Sequence, residues 1–218
     1  MIDGIRFKVC GLTSLVDAEF VDRAGADYLG FILYPKSPRY VSVAQYSDLA
    51  KRLPTLRQTV AVMVEPSAAD LAGAVAAGFS RYQIHFRADL PEEEIRSWSR
   101  TVGADRLWLA PRLPADMEVP SHLIPLADTF LLDTFHANQF GGSGVTGDWE
   151  KFARHQRSHP DKHWVLAGGL NPENIGEALR RSGARRIDVN SGVEVSPGLK
   201  DHAKIRALVV AIHRAVTA

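Results

Sequence analysis

The chain has 218 residues, 45% hydrophobic and 23% charged, enough to bury a large core. Its 26 basic and 25 acidic side chains leave a net charge of +1, which excludes a broad basic field for a nucleic-acid backbone or an anionic membrane. The single cysteine excludes an intrachain disulfide and a thiolate metal cluster.

The opening Met1-Ile2-Asp3-Gly4-Ile5-Arg6 lacks the basic start and apolar run of a signal peptide, and no stretch approaches about 18 unbroken apolar residues. A reducing compartment, the cytoplasm, is expected, with no membrane and no nucleic-acid partner.

Short apolar runs alternate with helical patterns along the whole chain. The runs are Phe7–Cys10, Tyr28–Leu33, Thr59–Val64, Tyr82–His85, Leu107–Ala110, Thr129–Asp133, Trp164–Ala167 and Ile187–Asn190. Helical spacing relates Leu15, Ala18 and Val21, then Leu71 and Val75, Ile95 and Trp98, Ile175 and Leu179, and finally Ile205, Leu208 and Ile212. Most runs are continuous rather than alternating, as in strands covered on both faces of a parallel sheet. Eight such units predict one α/β domain over residues 1–218, a single (β/α)8 TIM barrel. The competing open doubly wound sheet wants a glycine-rich turn after strand one, and Cys10-Gly11-Leu12-Thr13 is not one. The fifth crossover holds Pro111, Pro114, Pro120 and Pro125, which predicts a short or irregular connection.

In a barrel of this kind, chemistry gathers at the carboxyl ends of the strands. Strand one ends at Cys10, a possible base or nucleophile; a lone cysteine in an apolar strand is more often packing, and both readings stand here. Lys8 precedes it by two residues, on the same side of the strand. Strand two runs into Pro35-Lys36-Ser37-Pro38-Arg39, whose prolines stiffen the loop and offer the Arg39 guanidinium to a carboxylate or phosphate; an arginine taken alone is more often a solvated surface residue, and both readings stand here. Strand three ends at Val64-Glu65-Pro66 without evident chemistry; Ser67 and Asp70 read as helix-start residues. Strand four places Gln83 and His85 on one side, opposite Tyr82 and Ile84, so both line a pocket or pack as hydrogen-bonded interior groups.

Strand six ends in Asp133 after three apolar residues, a setting that suits a general acid. The glycine-rich Gly141-Gly142-Ser143-Gly144 follows and reads as a loop that closes over a ligand. Strand seven ends in Gly168-Gly169-Leu170-Asn171-Pro172, with Asn171 as helix cap and Pro172 as first helical residue. Strand eight ends in Asn190-Ser191-Gly192. Consecutive glycine loops at these two strands are where such barrels hold a phosphate.

Taken together, these stretches resemble the phosphoribosylanthranilate isomerase family of tryptophan biosynthesis. The resemblance rests on Lys8-Val9-Cys10-Gly11-Leu12-Thr13, Ser37-Pro38-Arg39-Tyr40-Val41, Gln83-Ile84-His85, Leu131-Leu132-Asp133, Gly141-Gly142-Ser143-Gly144, Ala167-Gly168-Gly169-Leu170-Asn171-Pro172-Glu173-Asn174 and Asp188-Val189-Asn190-Ser191-Gly192-Val193-Glu194. It implies an Amadori rearrangement of N-(5-phosphoribosyl)anthranilate without cofactor, its partner being a small phosphorylated substrate; no metal is expected, and the lack of an obvious apolar surface stripe points to a monomer. By the same resemblance Cys10 is the general base, Asp133 the general acid and Arg39 the grip on the anthranilate carboxylate. Lys8, His85, Gly142 and Asn190 are expected around the substrate, with Gly168, Gly169, Ser191 and Gly192 at its phosphate.

Two departures accompany the resemblance. Phe86 stands where the family usually has glycine, and its ring is expected to narrow the pocket or reorient His85. Met63-Val64-Glu65 stands where the family often has Phe-Val-Asn. Two alternatives remain at this point: a two-substrate sugar isomerase that also serves histidine biosynthesis, and a barrel that binds phosphorylated ligands without turnover.

Overall fold

The eight apolar runs coincide, within a residue or two, with eight strands of a closed parallel barrel in a computed structural model. The structure describes residues 1–53, 58–114, 117–133 and 148–217. The strands are β1 (Arg6–Val9), β2 (Tyr28–Ile32), β3 (Gln58–Val64), β4 (Arg81–Arg87), β5 (Leu107–Arg112), β6 (Thr129–Leu132), β7 (His163–Leu166) and β8 (Arg186–Val189). Each pairs with its sequence neighbour, and β8 closes on β1, with Lys8 opposite Asp188.

Outside the strands lie α1 (Leu15–Arg23), α2 (Val43–Ala50), α3 (Ala68–Ala76), α4 (Glu92–Val102), α5 (Trp149–Ser158), α6 (Ile175–Ser182) and α7 (His202–Thr217). A short hairpin, β9 (Glu194–Ser196) and β10 (Leu199–Lys200), follows β8. The fifth crossover, as expected, is a 3-10 turn, Ser121–Leu126, with Pro125 inside it. Helix starts agree with the residues read as caps. Ser14 accepts from the Asp17 N–H, and Ser67 and Asp70 cap each other's backbone reciprocally. Asn171 accepts from the Glu173 and Asn174 N–H groups, as a cap does, but regular helix begins only at Ile175, so Pro172 lies in the turn before it.

Alternation along each strand divides the core into two layers. Phe7, Val9, Leu29, Phe31, Tyr82, Ile84, Phe130, Trp164 and Ile187 face the helices and form one continuous apolar cluster with them. Burying each large side chain of that layer contributes about 1.5–3 kcal/mol. The opposite set fills the barrel: Tyr28, Val60, Val62, Trp108, Ala110, Leu131, Val165 and Ala167. Between these apolar residues the interior buries the polar side chains of Lys8, Gln83, Thr129 and Asp188.

Phe86 belongs to the helix-facing set. It is buried against Trp98 of α4, with ring centroids 5.7 Å apart. The expectation that its ring narrows the pocket is therefore corrected: strand alternation turns Phe86 away from the side that His85 faces.

Candidate active site

A pocket of about 500 Å³ opens at the carboxyl rim of the barrel. Nine of the residues anticipated from the sequence line it: Cys10, Arg39, His85, Asp133, Gly168, Gly169, Asn190, Ser191 and Gly192. Gln83 and Asp188 line it too. Gly142 and the rest of the Gly141–Gly144 stretch lie outside the described residues. Lys8 does not line the pocket; it is fully enclosed beneath it.

Cys10 follows directly on β1, held by its N–H donating to the Val189 carbonyl at 2.8 Å. It is almost entirely buried, and burial pushes the thiol above its ordinary pKa, with Lys8 pulling the other way. The Lys8 ammonium sits 2.6 Å from an Asp188 carboxylate oxygen. Burial alone would lower the pKa of this lysine, but Asp188 and, more weakly, Cys10 overcome it and hold it above its usual value. The floor of the pocket therefore contains a fixed cation next to the sulfur.

Arg39 is positioned by more than its flanking prolines. Its Nε donates to Glu194 Oε1 at 2.9 Å and its Nη2 to Oε2 at 2.6 Å, a bidentate grip. Glu194 Oε1 also accepts from Lys200 Nζ at 2.7 Å and from the Gly198 N–H at 3.1 Å. Burial works to raise the Glu194 pKa, but Arg39 and Lys200 hold it below the ordinary glutamate value. Lys200 in turn donates to Asn190 Oδ1 at 3.0 Å. This Arg39–Glu194–Lys200–Asn190 chain was not assigned from residue types. The signal for it was present: a glutamate and a lysine flanking Pro197-Gly198, a hairpin turn that brings both to the pocket wall.

His85 stands 2.8 Å from the Gln83 amide nitrogen. Burial, and then the Lys8 charge, lower its pKa to about 4, so the imidazole is neutral at physiological pH.

The two glycine loops are shaped by backbone demands. Gly168 and Gly169 both adopt left-handed φ, 93° and 64°, which favours glycine. Asn171 and Asn174 both donate side-chain amides to the Gly169 carbonyl. A methyl group at Gly192 would lie 2.0 Å from the Leu170 carbonyl oxygen, so the loops after β7 and β8 interlock there. The arrangement leaves small, backbone-rich walls on one side of the pocket, and a guanidinium, a thiol and a carboxyl on the others.

Fold and pocket together define the class, an enzyme of the (β/α)8 barrel type. A family model described as N-(5'phosphoribosyl)anthranilate (PRA) isomerase matches residues 7–211. The N-(5'-phosphoribosyl)anthranilate isomerase of Neisseria gonorrhoeae is 37% identical over 211 residues, which cover 96% of this chain and 97% of that protein. The phosphoribosyl anthranilate isomerase structure from Thermus thermophilus superposes with a TM-score of 0.79 at 27% identity, covering 96% and 99% of the two chains. A further isomerase structure, solved with reduced 1-(o-carboxyphenylamino)-1-deoxyribulose 5-phosphate, gives 0.73 at 30% identity, covering 94% and 96%. The chain belongs to the N-(5'-phosphoribosyl)anthranilate isomerase family.

Proposed function

We propose that this pocket converts N-(5'-phosphoribosyl)anthranilate to 1-(2-carboxyphenylamino)-1-deoxyribulose 5-phosphate, an isomerisation in tryptophan biosynthesis. One observation carries the assignment of roles: Cys10, Asp133, Arg39 and both glycine loops converge on one pocket of about 500 Å³. Phosphate meets the backbone of Gly168, Gly169, Ser191 and Gly192. The anthranilate carboxylate meets Arg39, whose orientation Glu194 fixes. Neutral His85 and Asn190 flank the sugar between them.

Asp133, protonated, donates to the ring oxygen as the bond from that oxygen to C1 breaks. The resulting iminium acidifies the proton on C2. The Cys10 thiolate removes it, giving an enolamine, and ketonisation yields the product. No oxidant or reductant enters, since the hydrogen lost from C2 is balanced by that gained at C1. A substrate carrying an acid at each end explains why an almost neutral protein needs local cationic and amide groups rather than a broad field.

Cys10→Ala and Asp133→Asn are each expected to reduce kcat by about 10²–10⁴-fold with the fold retained. Near-normal turnover in either variant, measured by loss of substrate fluorescence, removes that residue from its role. Growth of a tryptophan auxotroph lacking the isomerase separates turnover from mere binding. The relatives reported above carry the single-reaction name, which favours this reading over the two-substrate one; turnover of the histidine-pathway precursor would reverse that preference. The activity is assigned to a cytoplasmic monomer, and a dimer in sedimentation analysis would overturn that state.

A further inference from the structure

We propose that Lys8 is a positioning residue for the Cys10 thiolate: its ammonium, clamped by Asp188 beneath the pocket floor, is the fixed positive charge against which the sulfur ionises. This rests on the reading of Cys10 as base, and adds the group that makes the base available.

The geometry is unusual for a lysine. Its side chain is fully enclosed inside the barrel, although lysines are almost never fully buried unless paired. It points along the same side of β1 as Cys10, and the two side chains interact. Asp188, the register partner of Lys8 on β8, holds the ammonium at 2.6 Å. The other Asp188 oxygen has no hydrogen-bond partner among the described residues; burial pushes the carboxyl upward, and Lys8, with Lys200 more weakly, pulls it back toward the charged form. Space for the ammonium is made by Gly30 of β2. A methyl at that position would lie 3.1 Å from Lys8 Nζ and 3.0 Å from the Cys10 α-carbon, so lysine and cysteine flank the same gap.

An apolar interior charges a large penalty for a thiolate, and a fixed cation in contact offsets it. When the S–H bond of Cys10 breaks, its proton leaves to solvent in the open pocket, and the new anion faces the Lys8 ammonium. Asp188 opposes ionisation by its own charge and supports it by keeping Lys8 protonated and in place. Among the described residues, the other charged or titratable groups here are Lys200 of β10, which also favours the anion, and Tyr34, Lys36, Arg39, His85 and Asp133 lining the pocket.

Because Cys10 is the only cysteine, alkylation and ultraviolet thiolate absorbance report it alone. Lys8→Met is expected to slow iodoacetamide alkylation at neutral pH by at least about tenfold and to move the alkylation profile to higher pH. The variant should lose kcat in the same proportion, regain it as the pH is raised, and keep KM within about twofold. Should Lys8→Met leave Asp188 unpaired and unfold the chain, Lys8→Met/Asp188→Leu replaces the whole ion pair by apolar side chains and tests the same point. An alkylation profile unchanged from the parent in a folded variant overturns the proposal. So does a loss of kcat that high pH does not restore, which is what a merely structural lysine would give. Alkylation reads the thiol without turnover, so it stands apart from the Cys10→Ala experiment: turnover surviving in Cys10→Ala defeats the base assignment, while the alkylation shift measures Lys8.

Discussion

His85 is the residue whose protonation most directly ties the site to stability. Its folded pKa is about 4 against an ordinary value of 6.5. Between those values the unfolded chain takes up a proton that the folded chain refuses, so stability rises with pH through the window and falls as pH drops across it. Below about pH 4 the effect levels off. The loss amounts to up to about 3 kcal/mol, reduced by the imidazole's contact with the open pocket. His85→Gln should flatten that part of a plot of urea midpoint against pH; an unchanged slope would show that the imidazole is not held neutral. At the same scale, Glu65 explains a departure in sequence that looked unmotivated. It adopts φ 41°, a conformation in which asparagine is the easier residue, and its carboxylate accepts from the Arg87 N–H at 2.9 Å. The glutamate side chain thus ties the end of β3 to the end of β4.

At the scale of elements, the hairpin β9–β10 brings Glu194 and Lys200 together against Arg39. Glu194→Gln leaves two buried or half-buried cations without their shared anion, and should cost about 3 kcal/mol in stability. It should also raise KM by roughly tenfold or more while kcat changes less, since a loosened Arg39 weakens binding rather than proton transfer. Equal losses in kcat and kcat/KM would mean that Glu194 acts on the chemistry instead. The eight strands were legible because their apolar runs are continuous and end in glycine, proline or polar residues. Five helices were legible from their spacing. Two were not: α2 buries only Tyr46, and α5 buries Lys151 and His155 beside Trp149 and Phe152, so neither carries a clean apolar stripe. Cys10 and Asp133 were visible as rim residues because strand ends can be read locally. The partnership of Lys8 with Asp188 was not, because it depends on the register between the first and last strands.

At the scale of the molecule, α7 completes the outer ring, packing against α6 and α1. Ile205, Leu208 and Ile212 on its inner face are fully buried. Truncating any one to alanine would cost about 2–5 kcal/mol, so the three together rival the whole stability of an ordinary domain. A chain ending at Asp201 is therefore expected to show no cooperative thermal transition in near-ultraviolet circular dichroism; a sharp melt would show that the barrel stands without its last helix.

The contact between Lys8 and Asp188 spans 180 positions of sequence. Bringing such distant strands together costs about 4–5 kcal/mol of chain entropy beyond a constant, recovered only when the ring shuts. The cation beneath the thiol thus comes into existence with the β1–β8 seam. In refolding, the alkylation rate of Cys10 passes from that of an exposed, ordinary thiol to that of the buried one beside Lys8, and that change becomes a clock for ring closure, separate from the earlier gain of helix. During synthesis, a ribosome-bound chain that has not yet released β8 carries the cysteine as an exposed thiol, without the clamped cation that faces its anion in the closed ring.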